Sequence, residues 1–595
     1  MTSLLLSRRD VDFLLHDWLN IGDLARFERF ADHGRETADA VLDLAEGLAR
    51  DYFAPHNKLA DQNEPHFVDG RVELIPEVGR ALEAFAEAGL FAATADYDLG
   101  GMQLPLTISS VVTAYFSAAN IGTMAYPFLT IGAANLLKTY GTPQQIEDYA
   151  RPMLLGRYFG TMCLSEPQAG SSLADITTRA EPDGDGAYRL FGRKMWISAG
   201  DHELSENIVH LVLAKAPGGG EGVRGISLFV VPKVLVEGDL AGQRNDVVLA
   251  GLNHKMGYRG AVNALLNFGE GAHSPDGRPG AVGYLVGELH NGLAQMFHMM
   301  NEARIKVGLG ATALGYTGYL HALDYARERP QGRSADAKGA TRQVPIIAHA
   351  DVRRMLLTQK AYVEGALALN LFCANLVDLQ AVGEPEERRE AQALLDVLTP
   401  VAKSWPSQWC LAANDLAIQV HGGYGYTRDY NVEQFYRDNR LNAIHEGTHG
   451  IQALDLLGRK TRQNGGGDVR RLWERIDQTL ERARSQGGEP AAWADRLAGA
   501  RAELEAVTLH LQAEVDAELR LANASVYLEA FGHVVVAWIW LEQALACTGK
   551  SGDFYDGKRQ ACRFFMDWEL PKVGPQLALL RRMDSATLDM ENAWF

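Results

Sequence analysis

Apolar positions in the first 159 residues recur at helical spacing. Val11, Leu14, Leu15 and Trp18 share one face, and the same period returns through LDLAEGLARDYF and VGRALEAFAEAGLF. Gly100-Gly101 and Pro105 mark a loop, and the run from Ile108 to Tyr140 is apolar almost all round, which predicts a buried helix pair. The texture changes near Thr161. From there to about Gly287, short β-rich runs (NIVHLVLAKA, GISLFVVP, AVNALLNF) alternate with turns such as PDGDG and PGGGEG. Helical patterning returns at about Asn291. Leu394, Leu398, Val401 and Trp405 mark one apolar face, with Pro400 expected to kink that helix. Long helices with short connections to Lys460 predict an antiparallel bundle. QNGGG (463–467) reads as a flexible linker to a second amphipathic bundle. The expected domains are 1–159, helical; 160–287, β; 288–462, helical; and 463–595, linker and helical. The fold class is mostly α with a central β domain.

Composition narrows the function. Hydrophobic residues make up 47 % and charged residues 22 %, as in a globular protein. A net charge of −18 argues against nucleic acid or an anionic membrane surface as general partners. Five dispersed cysteines suit buried thiols in a reducing compartment. MTSLLLSRRD lacks the features of a signal peptide, and the apolar run Val534 to Leu541 is too short to span a bilayer. A cytoplasmic protein without a membrane span is expected.

Three stretches bear on chemistry. Gly308-Leu309-Gly310-Ala311-Thr312-Ala313 matches a dinucleotide-loop pattern, but it continues a helix instead of following a strand, so close helix packing is the expected role. MCLSEPQAGSS (162–172) combines Ser165 and Ser171 with Gly and Pro, and KMWISAG (194–200) carries Trp196 between Lys194 and Ser198. Together they offer donors and a flat apolar wall, suited to a heteroaromatic ring. The third, His445-Glu446-Gly447-Thr448-His449, fits H-E-x-x-H, a zinc-hydrolase helix with Glu446 as base. Gly447 disfavours that helix. A third ligand is not obvious, since Glu474 lies beyond the expected linker.

The two loop segments resemble the flavin-binding loops of acyl-CoA dehydrogenases. Five further stretches match the same family in the same order: HKMGYRG (254–260), NEARIKVG (301–308), YARERPQGR (325–333), QVHGGYGYTRDY (419–430) and NRLNAIHEGTHGIQ (439–452). The resemblance covers about residues 40 to 460 and implies an N-terminal helical domain, a β-barrel-like middle domain and a helical bundle. The extra C-terminal helical domain resembles the long group of the family, which includes very-long-chain enzymes and enzymes resembling 3-methylmercaptopropionyl-CoA dehydrogenase; the N-terminal extension and the NGGG-linked tail favour the latter, bacterial, type. It implies FAD as cofactor. Met162, Leu164, Ser165, Ser171, Trp196 and Ser198 would meet its ring, with Ser171 also near the substrate's CoA arm. Arg329 would meet the pyrophosphate across a subunit interface, Gln419, Gly422 and Gly423 the ADP part, and Thr448 the adenine side. Asn301, Arg304 and Gly447 would contact acyl-CoA. Glu446 would remove the thioester α-proton while hydride leaves Cβ for flavin N5. Its backbone N–H and a ribityl hydroxyl would face the enolate oxygen. Two positions depart from the family: Ser172 replaces an Asp, and Pro330-Gln331-Gly332 alters the subunit-contact loop.

The expected activity is therefore acyl-CoA dehydrogenation, with an electron-transfer flavoprotein as acceptor and no metal. An acyl-CoA oxidase using O2 is the alternative on the same fold, and a zinc hydrolase the remote one. The intact Glu446 weighs against a non-catalytic relative. The added helical domain suggests a homodimer, which light scattering would test.

Overall fold

The computed structural model describes residues 3–184, 186–236, 238, 241–333 and 342–595, with the side chains of 298–301 outside the description. The chain forms two compact units. One comprises Val41–Leu104 and Ala119–Ala303; the other comprises Met1–Ala40, Pro105–Ala118 and Arg304–Phe595.

The first unit holds the sheet. A small hairpin, β1 (His66–Val68) and β2 (Arg71–Glu73), precedes β3 (Tyr158–Cys163), β4 (Arg179–Pro182), β5 (Ala187–Ser198), β6 (Asn207–Lys215), β7 (Ile226–Pro232), β8 (Val247–Leu252), β9 (Asn263–Phe268) and β10 (Ala281–Leu285). The order is β10-β7-β6-β4-β5-β9-β8, with β3 parallel beside β6. A further antiparallel β10–β5 pairing closes five of these strands into a ring. Strands β6 and β7 are buried almost throughout, which explains why their sequences are unbroken apolar runs. Val212, Phe229, Val231, Leu190, Leu266 and Phe268 form the core between them.

The expected buried helix pair is one helical run, Leu106–Tyr140, broken at Asn120 (φ −164°, ψ 92°). Asn120 Oδ1 accepts from Thr123 N at 3.0 Å and so caps the second half.

The second unit is helical. Its long helices are α1 (Gly292–Glu328, here from Arg304 onward), α2 (Ala350–Val382) and α3 (Pro385–His421). Gly308 lies in α1 where a Cβ would fall 1.9 Å from Ala402 O, and Gly315 and Gly318 abut Cys410 and Asn414 in the same way. Gly308 of the G-x-G motif thus serves helix packing. Helix α3 runs through Pro400, the position expected to kink it, and through Pro406, with helical backbone at both. Proline 406 removes the N–H that would bond Ala402 O, and Asn370 Nδ2 of α2 donates to that carbonyl at 3.0 Å instead.

The stretch expected to be a flexible linker is a hydrogen-bonded turn. Asn464, Gly465 and Gly466 adopt left-handed φ of 51°, 63° and 77°, and Arg470 Nη1 donates to Gly465 O at 2.8 Å. Beyond it lies a bundle whose centre is Ala524–Ala546, with Phe531, Trp538 and Trp540 fully buried. Val534–Leu541 alone is short, but that helix and α2 are each long and apolar enough to cross a membrane, and most of each apolar window is buried inside the protein. They are core helices. Lys558 joins this bundle to the N-terminal segment. Its buried ammonium pairs with Asp10, with Glu364 of α2 at 2.9 Å, and donates to Gln543 Oε1 at 3.0 Å. Tyr316 donates to Asp10 Oδ2 at 2.9 Å. The five cysteines are buried free thiols.

Candidate active site

In the sheet unit, a buried ion pair builds the first part of the site. Lys194 Nζ donates to Glu166 Oε1 at 3.0 Å and to Leu164 O at 2.9 Å. The backbone N–H groups and hydroxyls of Thr177 and Thr178 also donate to Glu166. Burial alone would raise the Glu166 carboxyl, but Lys194 and these donors outweigh it and hold the carboxyl at about 2. Met195 N donates to Ser165 O at 3.0 Å, so the 162–172 loop is fastened along β5. There the β5–β9 register slips between Lys194 and Ile197. Trp196 sits in this bulge with φ 66° and is 58 % exposed. A tryptophan held outward on a strained backbone at a bulge is a surface prepared for a flat ligand. Ser198 Oγ accepts from Asn263 Nδ2 at 3.2 Å. Met162 is buried, Leu164 and Ser165 are half-buried, and Ser171 is exposed. Ser172, where the family has Asp, donates to Asp175 Oδ2.

In the helical unit, Glu446 lies in a turn between a 3-10 segment ending at Ala443 and helix α4 (His449–Gly458). Glu446 has φ 52° and Gly447 φ 90°. A Cβ on Gly447 would fall 2.5 Å from Gln452 Nε2, the group that donates to Glu446 O at 3.0 Å. Only glycine fits beside that clasp. Thr448 Oγ1 accepts from Ile451 N at 3.3 Å and caps α4. The H-E-x-x-H residues therefore do not share a helix. His445 precedes the turn and His449 begins α4, so the spacing that would stack two ligands on one face is not realised.

Burial raises the Glu446 carboxyl above its usual range, against the opposing influence of Lys403 and Arg304. Lys403, fully buried on α3, is lowered to about 7 by burial, with Glu446 acting to raise it. His445 is lowered to about 3 by burial and by Lys403, so its imidazole is neutral. A ladder of buried amides fixes the segment before Glu446. Asn439 Nδ2 donates to Asn414 Oδ1 (2.7 Å) and to Ala311 O (3.0 Å), and Asn442 Nδ2 donates to Asn439 Oδ1 (3.0 Å). His445 Nε2 lies 3.1 Å from Asn442 Oδ1 and donates to it. Arg304 is buried and donates to Asp455 Oδ2 of α4 at 3.0 Å. The Asn301 side chain lies outside the described residues.

A cleft of about 450 Å³ in the same unit is lined by Tyr325, Arg329, Val420, His421, Gly422 and Gly423, among others. Tyr325 and His421 stack with centroids 4.4 Å apart, and the Arg329 guanidinium lies 5.4 Å from the Tyr424 ring centre. Gly422 has φ 61° and ψ −139°, a conformation essentially confined to glycine. Gln419 is exposed one turn before it. A guanidinium, stacked rings and a glycine-bounded wall suit a nucleotide with a pyrophosphate. The altered 330–332 loop is ordered by an isolated bridge between Pro330 and Pro345, and His349 Nε2 donates to Gln331 O at 2.7 Å.

The candidate residues thus fall into three clusters: Met162, Leu164, Ser165, Trp196 and Ser198 in the sheet unit; Glu446, Gly447, Thr448 and Arg304 around the turn; and Arg329, Gly422 and Gly423 at the cleft. Sequence reasoning missed Glu166, Lys403 and the asparagine ladder. The ladder alone left a trace, since Asn439, Asn442 and His445 recur every third residue.

Comparison with known proteins gives the family. Family models described as the acyl-CoA dehydrogenase N-terminal, middle and C-terminal domains match residues 35–157, 161–269 and 290–460, and one described as acetyl-CoA dehydrogenase C-terminal like matches 472–591. The chain is 38 % identical over 552 residues to 3-methylmercaptopropionyl-CoA dehydrogenase of Ruegeria pomeroyi, covering 92 % of each chain. It is 33 % identical to a broad-specificity linear acyl-CoA dehydrogenase of Mycobacterium tuberculosis, covering 99 % of each. In fold it is similar to a Bacillus anthracis acyl-CoA dehydrogenase complexed with FAD, at TM-score 0.74 and 19 % identity, covering 94 % of this chain and 91 % of the other. The chain belongs to the acyl-CoA dehydrogenase family of FAD-dependent oxidoreductases.

Proposed function

We propose that the protein oxidises an acyl-CoA thioester between Cα and Cβ to the trans-2-enoyl-CoA, with Glu446 as the base that takes the α-proton. The observation carrying this reading is the Glu446 turn. A carboxyl whose affinity for protons is raised by burial is a stronger base than one in water, and it is better matched to a weakly acidic C–H. The positive φ and the Gln452 clasp fix its backbone, so it is oriented before substrate arrives. That rigidity also supports the Glu446 N–H as a donor to the developing enolate oxygen. Arg304, held by Asp455, is buried, which favours an electrostatic role beside Glu446 over a direct grip on the CoA arm.

Bound FAD supplies the hydride-accepting chemistry. Ser165, Ser171, Trp196 and Ser198 would hold its ring in the sheet unit. Arg329, Gly422 and Gly423 would hold the ADP part of a partner subunit's FAD, in a homodimer. The proposed electron acceptor is an electron-transfer flavoprotein.

The test is the visible spectrum of purified, FAD-loaded protein during anaerobic addition of a panel of acyl-CoAs. Bleaching by some chain length, with Glu446→Gln retaining colour but not bleaching, is the expected result. Equal bleaching of the Glu446→Gln variant would refute the role of Glu446. Rapid reoxidation by air in place of an electron-transfer flavoprotein would favour the oxidase.

A further inference from the structure

Lys403 is a buried cation at the heart of the Glu446 site. Its side chain is fully buried, and its Nζ donates to Asn442 O at 2.8 Å. That carbonyl lies four residues before Glu446, on the residue whose side chain is already tied to Asn439 and His445. Asn442 is therefore held at its side chain by the ladder and at its carbonyl by Lys403. A carbonyl satisfies a hydrogen bond but does not balance a buried charge. The charged and titratable groups around Lys403 are Glu446 and His445 from the turn, Arg304 from α1, and His449 from α4. Asp455 is already committed to Arg304, and both histidines are held neutral, so Glu446 is the carboxylate that offsets the ammonium.

We propose that Lys403 is the positioning residue for Glu446: its buried ammonium anchors the turn through Asn442 O and sets a positive charge against the Glu446 carboxylate. This rests on the proposed role of Glu446. Burial raises the Glu446 carboxyl, and the ammonium opposes that rise; without it, the carboxyl would hold its proton to higher pH and be available as a base over a narrower range. Lys403 touches neither substrate nor cofactor in this scheme.

Two titrations of full-length, FAD-loaded protein test the inference, and neither requires turnover. The first follows the infrared band of the Glu446 carboxyl, identified by its loss in Glu446→Gln. In Lys403→Gln, which keeps a donor for Asn442 O but removes the charge, the midpoint should rise by about one pH unit. The low-pH limb of flavin reduction should rise with it at unchanged FAD content. The second uses the reciprocity of the coupling. In Glu446→Gln, the Lys403 ammonium, followed by NMR of labelled lysine, should titrate about one unit lower than in the wild type. This second measurement needs no Lys403 variant to fold. A Glu446 midpoint unmoved by Lys403→Gln, or a Lys403 titration unmoved by Glu446→Gln, would overturn the proposal. Failure of the dehydrogenase reading shows separately, as a wild-type protein that no acyl-CoA bleaches.

Discussion

Replacing Lys558 by methionine should loosen the N-terminal segment, and more so in alkaline solution. The ammonium is buried between Asp10 and Glu364, with Gln543 as its third partner. Removing it leaves two buried carboxylates, of which Glu364 keeps Lys360 as its ion-pair partner. Breaking a buried ion pair from one side costs about 3–5 kcal/mol. If that cost appears as local opening, amide protection in residues 8–18 should fall by roughly 100- to 4000-fold, since each 1.4 kcal/mol is tenfold. The pH sign follows from Asp10. Burial and Glu364 already raise its carboxyl in the wild type, and losing Lys558 raises it further. A carboxyl raised on folding stabilises below its unfolded value, and that contribution is lost as pH rises through the folded one. The deficit should therefore be larger at pH 8 than at pH 5.5, read by hydrogen-exchange mass spectrometry. A variant that also carries Asp10→Asn should recover most of the protection, because the carboxylate left without a cation is then neutral while Glu364 keeps Lys360 as its partner. Unchanged protection at pH 8, or a deficit that grows on acidification, would refute this account.

Other substitutions test other parts of the structure. Gly308→Ala places a methyl against Ala402 O and should cost about 1–3 kcal/mol in thermal unfolding while FAD content stays at one per chain; loss of FAD at unchanged stability would restore a nucleotide role for that motif. Lys194→Met should release the 162–172 loop and weaken FAD retention at least about tenfold, measured by flavin release on dialysis, because Glu166 would lose its buried partner. Glu166 is held at about 2, so its stabilisation is present above the unfolded value near 4.5 and is lost as pH falls toward 2. Acid-induced loss of flavin should accordingly shift to lower pH in the wild type than in Glu166→Gln, and coincident curves would count against the pair.

The sequence determined the fold class, because the change from 3.6-residue periodicity to short apolar runs and back survives any arrangement of the elements. β6 and β7 read as strands because burial on both faces leaves no polar positions. The Glu446 and Trp196 segments were legible as motifs through their resemblance to the family, and both carry positive φ in the structure. Tertiary structure decided what depends on neighbours distant in sequence. QNGGG reads as a linker from its glycines, yet those glycines supply the left-handed φ of a tight turn. Pro400 reads as a kink in its helix, yet α3 runs through it and through Pro406, with Asn370 satisfying the carbonyl that Pro406 strands. Lys403 reads as an ordinary helix lysine, and only the packing of α3 against the Asn442 turn makes it a buried cation. Periodicity records which face an element buries; it does not record which polar group that face will meet, and the role proposed for Glu446 depends on that meeting.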